Sequence, residues 1–413
     1  MKKEKTQFKR GEWSLLGKFY LSTFIDSAFA LIPLLFILYF EFKGFKLGLG
    51  GYLLAVSGIF GFFFEIPTGV VADVFGRKIS TLFHYVFMGA IALAIPFATQ
   101  PYMLYILFAL EGIAITFRTG AKHAWIVDNL KHHKRDDLIQ SYYTKSQSIL
   151  AVAIFIAGLL LSGILFLKPA TKPMVLFGFD FIGADLLWFI EGLAYLSIFI
   201  LLLSIEENYK PKKAKLKQQI KEFSKTLKYG LSYSWKHPII FVLLVNALLF
   251  TISGNMKFVS FQPYLIGNGI KVEQFGYLSS AFLLLGMLLP FISQRLTKNI
   301  RKNVYLAITS VVKFVFTLGL YFIVGPVFTI VFWFVHKNFY YLVGSIENSY
   351  FQEHVTSKGR ATIGSIENAM YSLGSFIGPL IGGLLINYLA PRAVLAISSF
   401  LIIPAIFMYL RIK

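Results

Sequence analysis

Residues 65–78 read Glu-Ile-Pro-Thr-Gly-Val-Val-Ala-Asp-Val-Phe-Gly-Arg-Lys, a short charged stretch between two long apolar segments. The segment before it, 48–64, and the segment after it, 79–98, are almost unbroken runs of hydrophobic residues. A helix of about 20 apolar residues crosses a hydrocarbon core roughly 30 Å thick. The stretch therefore predicts two antiparallel neighbouring helices whose shared turn lies on one side of a membrane.

The composition of the whole chain supports a membrane protein. Hydrophobic residues make up 56% of the 413 residues and charged residues 15%, whereas soluble domains carry about 25% charged residues. The apolar runs predict an all-α membrane protein with twelve transmembrane helices, six in 1–204 and six in 238–413. The predicted crossings are 15–40, 48–67, 79–98, 101–126, 144–167, 181–204, 238–265, 273–293, 303–323, 326–351, 361–388 and 391–410.

The polar linker between the two sets, 205–237, has the pattern of an amphipathic helix. Its apolar residues recur at helical spacing with lysines between them, as in helices that lie on a membrane surface. Those apolar residues are Leu216, Ile220, Phe223, Leu227 and Leu231. We interpret the linker as a strap between two halves, with a regulatory role as the alternative.

The distribution of Lys and Arg predicts the orientation, because these residues are retained on the cytoplasmic side. With both termini and the 65–78 turn in the cytoplasm, only six of the 40 Lys and Arg fall in outside loops. These six are Lys43, Lys46, Lys168, Lys172, Lys271 and Arg392. We therefore predict a multi-pass protein of the cell (inner) membrane. Its net charge of +20 indicates contact with an anionic inner leaflet rather than with nucleic acid.

Within the opening stretch, Gly69, Asp73, Gly76, Arg77 and Lys78 follow the spacing Gly-x3-Asp-x2-Gly-Arg-Lys. In sequence, and in position between predicted helices two and three, this resembles the signature loop of the major facilitator superfamily. The wider string from Glu65 resembles its bacterial drug-efflux-like branch. Further matches, which extend the resemblance over the whole chain, are Asp128, Phe261-Gln262-Pro263-Tyr264-Leu265 and the glycine-rich run 374–383.

The resemblance implies two pseudo-symmetric six-helix bundles that move by alternating access about a site near the membrane midplane. It also implies an ion pair between Arg77 and Asp128. Asp73 ends helix two, where the positive N-terminus of helix eleven near Ala361 is a suitable partner. We expect these contacts to form a gating latch that exists only while the cytoplasmic side is closed. The alternative is that the charges merely fix topology. The predicted latch comprises Glu65, Gly69, Asp73, Gly76, Arg77, Lys78 and Asp128.

Ionisable residues within the predicted helices of the first half are candidates for substrate or proton contact, because a charge in a membrane is costly without a cavity or partner. Asp26 lies near the middle of helix one. It suits a proton-binding or cation-contacting carboxylate, or else a structural partner for a base. Glu111, Arg118 and Lys122 lie seven and four residues apart in helix four, so we expect them to share one helical face.

Two features depart from the pattern that the resemblance implies for proton antiporters. An arginine is expected four residues before Gly112, where Phe108 stands, and Arg118 is the nearest substitute. A Gly-x3-Gly-Pro motif is expected in helix five, which has only Gly158 and Gly163.

The second half carries deep bases instead: Lys257, His336 and Lys337 are candidate substrate contacts. Either they pair with first-half acids across the interface, or they receive an anionic or zwitterionic substrate. Lys313 is a further deep base of this half, and the alternative for it is an outer helix from which its side chain snorkels. Glu347 and Glu367 occur in the same string, Gly-Ser-Ile-Glu-Asn, which we attribute to coincidence.

The sequence excludes other classes of function. It has no Gly-Lys-Ser/Thr phosphate loop, no Cys and no metal-binding His pattern, so we expect no ATP-driven pump, no enzyme, no cofactor and no metal. The 44 Phe favour amphipathic substrates. We predict a monomeric secondary transporter that couples efflux of small amphipathic organic compounds to inward proton flow. The alternatives are uptake or facilitated transport of an organic anion or zwitterion, and a non-transporting sensor or scaffold.

Overall fold

The computed structural model of the protein describes residues 9–176, 178–208, 228, 232–355 and 360–412. We use "first half" for residues 9–204 and "second half" for residues 238–412. The predicted amphipathic part of the linker lies almost entirely outside the described residues. The helices of the first half are α1 (Glu12–Ala28), α2 (Phe36–Phe42), α3 (Leu49–Phe75), α4 (Arg77–Ala94), α5 (Pro101–Thr116), α6 (Ala121–His132), α7 (Ile139–Leu167) and α8 (Asp185–Leu203).

The second half is also built from helices. Together with the first half it places a helix or a helix pair at each of the twelve predicted positions, which confirms the all-α fold class. These helices are α9 (Pro238–Gly267), α10 (Phe275–Gly286), α11 (Leu289–Leu296), α12 (Lys302–Gly319), α13 (Pro326–His354), α14 (Arg360–Ile386), α15 (Pro391–Phe400) and α16 (Ile403–Arg411).

Ten of these segments, among the described residues, are long and apolar enough to cross a membrane. The two predicted crossings outside that group are α12 and α13. Both carry polar and charged residues along their length, including Lys313 in α12 and the His336–Lys337 pair in α13. Their low hydropathy has a structural reason, since these residues line a cavity inside the second half.

Four predicted helices are interrupted, which the sequence analysis did not anticipate. Helix one breaks between α1 and α2 around a 3-10 turn at Ile32–Leu34, where Pro33 has no amide hydrogen to donate. Helix four breaks between α5 and α6 at Gly120, whose φ of +75° favours glycine. The two other breaks separate α10 from α11 and α15 from α16.

A short antiparallel hairpin, also not predicted, connects α7 to α8. Its strands are β1 (Pro173–Leu176) and β2 (Phe179–Ile182), with Pro173 opposite Ile182. Asp185, at the start of α8, accepts hydrogen bonds from the Tyr39 hydroxyl at 2.7 Å and from Lys43 Nζ at 3.2 Å. The hairpin end of α8 is thereby tied to the end of the first crossing.

The apolar core is shared by both halves at one end of the molecule and divided at the other. We call the end that carries Gly76 the Gly76 end and the end that carries Gly48 the far end. At the far end, one cluster of buried side chains contains residues of both halves, such as Leu35, Phe36 and Phe261. At the Gly76 end, the described residues form one core within the first half and another within the second.

Glycines permit the close approach of the halves toward the far end. A Cβ on Gly51 of α3 would meet the backbone of Gly383 in α14, and one on Gly158 of α7 would meet the backbone of Gly276 in α10. The side chain of Gln262 adds hydrogen bonds between the halves. Its Oε1 accepts from the amide of Ile37 at 2.9 Å, and its Nε2 donates to the carbonyl of Pro33 at 3.0 Å.

Candidate functional site

Two adjoining cavities lie in the middle of the molecule. The larger, which we call the central cavity, has a volume of about 800 Å³ and lies between the halves. Asp26, Arg118 and Lys122 line it from the first half, and Lys337 and Asn338 line it from the second. This volume is in the range of small-molecule sites.

The second cavity, which we call the side cavity, has a volume of about 490 Å³ and lies largely within the second half. The first half contributes Pro33 and Leu34, from the interruption of helix one. These two residues, Ser279 and Lys337 also line the central cavity, so the cavities adjoin along this wall. The charged and titratable residues of the side cavity are Lys257, Lys313, His336, Lys337 and Glu347.

Asp26 is paired within the first half. Its Oδ2 lies 2.5 Å from Nη1 of Arg118 and accepts from the Tyr85 hydroxyl at 3.3 Å. Lys122 Nζ donates to the same hydroxyl at 2.9 Å. The chain turns at Gly120 and so presents both bases to the central cavity. This arrangement matches the structural pairing that the sequence left as an alternative, and a proton-binding role for Asp26 stays a prediction.

The expectation that Glu111 shares a face with Arg118 and Lys122 was wrong. Glu111 belongs to α5, packs toward Ser57 of α3 and is absent from the lining of both cavities. The i, i+7 relation holds only along one continuous helix, and the break after Thr116 rotates the two bases away from it.

Two lysines of the side cavity, Lys257 and Lys313, lie away from any ion pair of the described residues. Lys257 is 4% exposed, and within the described residues neither Lys257 nor Lys313 forms an ion pair. Nζ of Lys313 lies 4.5 Å from the ring centroid of Phe250. Of the two alternatives for Lys313, the structure matches the deep base rather than the snorkelling side chain, because Lys313 lines the side cavity. Asp26 is paired to Arg118 rather than to a base of the second half.

Rings form the wall between these lysines and the central cavity. The ring of His336 stacks on Phe261 with centroids 5.8 Å apart, and Phe261 lies 5.3 Å from Trp333. His336 Nδ1 lies 3.0 Å from the Thr317 hydroxyl. Nζ of Lys337 is 3.4 Å from the Ser279 hydroxyl and lies over the Trp333 ring at 5.6 Å. Aromatic surface and positive charge therefore occur together.

Two acidic residues within the helices, Glu347 and Glu191, were not predicted as candidate site residues from the sequence. Glu347 lines the side cavity and accepts a hydrogen bond from the Tyr409 hydroxyl at 2.8 Å. Glu191 of α8 is 8% exposed and accepts from the Ile32 amide at 3.2 Å and from the Tyr195 hydroxyl at 3.3 Å. The rule applied to Asp26, that an acid within an apolar helix needs a partner or cavity, would have found both.

The predicted latch is partly assembled. Arg77, the first residue of α4, forms an ion pair with Asp128 of α6. The amide of Lys78 donates to Glu207 Oε1 at 2.9 Å, and a Cβ on Gly76, whose φ is +110°, would collide with the Glu207 carboxylate. The start of the linker therefore caps the first turn of α4, a contact that the sequence analysis missed.

One expectation about the latch stays a prediction, namely that the Arg77–Asp128 pair exists only while the two halves are closed at this end. The pair joins α4 to α6 within one half. Glu65 and Asp73 lie on α3 as predicted, whereas the side chains around Ala361 lie outside the described residues. A Cβ on Gly69 would find open space among the described atoms.

Comparison with known proteins identifies the fold. The sequence pattern of the Major Facilitator Superfamily matches residues 15–366. The chain belongs to the major facilitator superfamily. Members of this superfamily and the similar solved structures are transporters rather than enzymes, and the apolar helices agree with a multi-pass membrane protein.

Two relatives of this facilitator are similar over part of their length. The MFS-type transporter YxaM of Bacillus subtilis (strain 168), itself uncharacterised, is 23% identical over 68% of this chain and 65% of its own. A Na(+), Li(+), K(+)/H(+) antiporter of Planococcus maritimus is 31% identical over 32% of this chain and 31% of its own. The match thus covers just under two thirds of one relative and about a third of the other.

Solved structures resemble the facilitator over nearly its whole length. A bacterial homologue of the human lysosomal transporter Spinster, in an inward-facing and unoccupied conformation, gives a TM-score of 0.75 at 14% identity and covers 98% of this chain and 97% of that one. The nucleoside transporter NupG gives 0.72 at 12% identity, with 97% and 100% covered. At these identities the likeness establishes the fold alone.

Proposed function

We propose that this facilitator carries a small amphipathic organic anion across the membrane by alternating access. The observation that supports the charge of the substrate is the pair of cavity lysines, the buried Lys257 and the half-buried Lys313, neither of which forms an ion pair within 4 Å among the described residues. Keeping a charge in a membrane protein without a partner costs several kcal/mol, roughly, unless it serves function. An anionic substrate would offset that cost.

The amphipathic character of the substrate is supported by the rings that border the same lysines. Phe250, Phe261 and Trp333 all line the side cavity. Aromatic surface beside a few placed charges is typical of sites that bind organic molecules rather than small inorganic ions.

Alternating access is supported by the unequal packing of the two ends. The halves share one core at the far end and have separate cores at the Gly76 end. We propose that rocking of the halves exchanges these arrangements and that residues 1–204 and 238–413 move as two bundles. We propose that the protein is a monomer in the inner membrane of the cell, with both termini in the cytoplasm. In this orientation the Gly76 end faces the cytoplasm, and the central cavity of this conformation opens toward it.

The latch residues are proposed to bias this exchange. The Arg77–Asp128 pair and the Glu207 contact hold α4 and α6 as one unit. Asp73 lies near the end of α3, which leads directly into this unit. We propose that Asp73 meets the first turn of α14 when the halves close. Basic residues at the same end are proposed to contact anionic lipid.

A second candidate function is proton-coupled efflux of amphipathic compounds, the function that the sequence favours. One support is Asp26, which lines the central cavity and is bonded to Arg118. The other is the partial similarity to an antiporter. Protonation of Asp26 would release Arg118, so that proton and substrate binding exclude each other.

The two candidates differ in flux measurements on purified protein in liposomes. The anion carrier should exchange a labelled amphipathic anion without a pH gradient and should lose this exchange in Lys257→Gln. Lys298→Gln, an exposed lysine away from both cavities, is the matched control. The efflux pump should instead accumulate a lipophilic cation under an imposed pH gradient and should lose this accumulation in Asp26→Asn. Absence of anion exchange by the wild type would overturn the first candidate.

A further inference from the structure

We propose, on the basis of the anion transport proposed above, that the side cavity is a head-group subsite for one negative charge. Lys257 and Lys313 would bind the acidic group of an elongated substrate, and Glu347 would exclude a second negative charge. The apolar remainder of the substrate would extend past Lys337 into the central cavity.

The first support is the charge of the side cavity. Three lysines without ion pairs among the described residues line it together with one carboxylate, that of Glu347. Lys337 also lines the central cavity, whereas Lys257 and Lys313 line the side cavity alone. The carboxylate is held by the Tyr409 hydroxyl at 2.8 Å and makes no ion pair with either lysine among the described residues. A singly charged group bound between the lysines would leave the three side chains and the ligand close to electrical neutrality, which a low-dielectric interior favours.

The second support is the position of the subsite within one half. Lys257 lies on α9, Lys313 on α12 and Glu347 on α13, so all three belong to the second half. Tyr409, on α16, belongs to it too. A head group bound there would keep its contacts while the halves rock, and only the remainder of the substrate would exchange neighbours in the central cavity.

The third support is the wall that joins the cavities. Lys337 and Ser279 line both of them, and the Phe261 and Trp333 rings border the side cavity next to Lys337. A ligand that occupies both cavities must pass this wall with its apolar part against the rings. This favours an elongated substrate with its acidic group at one end.

Glu347 is the proposed specificity-determining residue. Because its carboxylate faces the same space as the lysines, a second negative charge on the ligand would be repelled, which is selection by an unfavourable contact. Glu367 provides a matched control, because it lies in the same Gly-Ser-Ile-Glu-Asn string but accepts a hydrogen bond from Tyr371 on its own helix and does not line either cavity.

Binding of two probes to the purified full-length protein tests this proposal. The probes are 2-naphthalenesulfonate, with one permanent negative charge, and 2,3-naphthalenedisulfonate, with two such charges at the same end of the ring system. Calorimetry gives their affinities. The monosulfonate should bind the wild type and bind Lys257→Gln or Lys313→Gln about tenfold or more weakly, as expected for loss of a bond to a charged group. Glu347→Gln should bind the disulfonate about tenfold more tightly than the wild type does, whereas Glu367→Gln should not.

Several results would overturn the subsite. They are unchanged monosulfonate affinity in both lysine variants, no gain of disulfonate affinity in Glu347→Gln, or no binding of the monosulfonate by the wild type. Anion exchange in liposomes is measured in parallel: if it persists, only the subsite is wrong, and if it is absent, the proposed function is wrong. Lys257→Met separates loss of binding from misfolding. Removing a buried charge without an ion pair should raise the melting temperature of the ligand-free protein, so weaker monosulfonate binding by this variant could not be attributed to unfolding.

Discussion

At the scale of single residues, the pair of Asp26 and Arg118 shows how the break in helix four creates a site. Arg118 reaches Asp26 because the chain turns at Gly120 instead of continuing as a helix. The side chain of Asp26 is 14% exposed and that of Arg118 is 39% exposed. Water therefore stabilises the charge of Asp26 less than that of Arg118, and Asp26 needs its partner more.

We therefore predict an asymmetric effect of mutation at this pair. Arg118→Gln should lower protein stability by about 1–3 kcal/mol, because it leaves a buried carboxylate without its cation. Asp26→Asn should cost less, because Arg118 is better solvated. The double variant should recover part of the loss, as a double-mutant cycle of detergent-solubilised protein would measure. Strict additivity of the two losses would contradict the pairing.

The side chain of Gln262 belongs to the same scale and acts between the halves. It reaches the interruption of helix one, where the amide of Ile37 and the carbonyl of Pro33 lack the helical partners of a continuous segment. The backbone groups at this break, which was not predicted from the sequence, thus find hydrogen-bond partners on a side chain of the opposite half.

We predict that Gln262→Leu loosens the far end. Loss of these hydrogen bonds, each about 1 kcal/mol, should shift the population toward conformations open there. The reactivity of an introduced Leu34→Cys toward an impermeant maleimide added on the Lys46 side should then rise. The control is Asn268→Leu, which removes a bond from the residue that caps α9 to the carbonyl of Tyr264 and should leave the reactivity unchanged. Equal reactivity in all three proteins would contradict this role.

At the scale of helices, contacts between glycines set the distance between the halves. On α7, Gly158 approaches the backbone of Gly276 in α10, while Gly163 on the same helix has open space beyond its Cβ position. Near this contact, the Tyr277 amide donates to the Ser162 hydroxyl at 3.0 Å. Hydropathy locates such helices, but it does not reveal which of their glycines face another helix.

We predict opposite outcomes for the same substitution at these two glycines. Gly158→Leu should force α7 and α10 apart at a cost of about 1–3 kcal/mol, whereas Gly163→Leu should fit. Disulfide formation between introduced Ser162→Cys and Tyr277→Cys measures the separation without interference, because the native chain has no Cys. Equal cross-linking in the two leucine variants would contradict the close contact.

At the scale of the whole molecule, the proposed orientation rests on the charge distribution. Lys46 is exposed at the far end and Lys131 is exposed at the Gly76 end. The absence of native cysteine makes single-cysteine labelling a direct test.

We predict that an impermeant maleimide labels Lys46→Cys but not Lys131→Cys in intact cells. The reverse should hold in inverted vesicles, because Lys and Arg are retained in the cytoplasm. Labelling of Lys131→Cys in intact cells would place the Gly76 end outside and would reverse the proposed direction of the central cavity.

The sequence by itself predicted where the helices lie, ten of which, among the described residues, are long and apolar enough to cross a membrane. It also placed a sharp reversal within 65–78, which the structure narrows to Gly76, between α3 and α4. Both follow from local properties: an apolar run of sufficient length must be a helix in lipid, since no water is available to its backbone. The resemblance of that turn to the superfamily's loop is local as well, and it was confirmed at the level of the superfamily.

Only the tertiary structure decided which charged residues meet. The break in helix four separates Arg118 and Lys122 from Glu111, and the packing of α12 brings Lys313 to the side cavity. Glu347 and Glu367 lie in identical five-residue strings, yet one lines a cavity and bonds to Tyr409 from the last helix, and the other bonds to Tyr371 one turn along. Identical local sequence leads to different surroundings, because the neighbours of a side chain in a helix bundle come from distant parts of the chain.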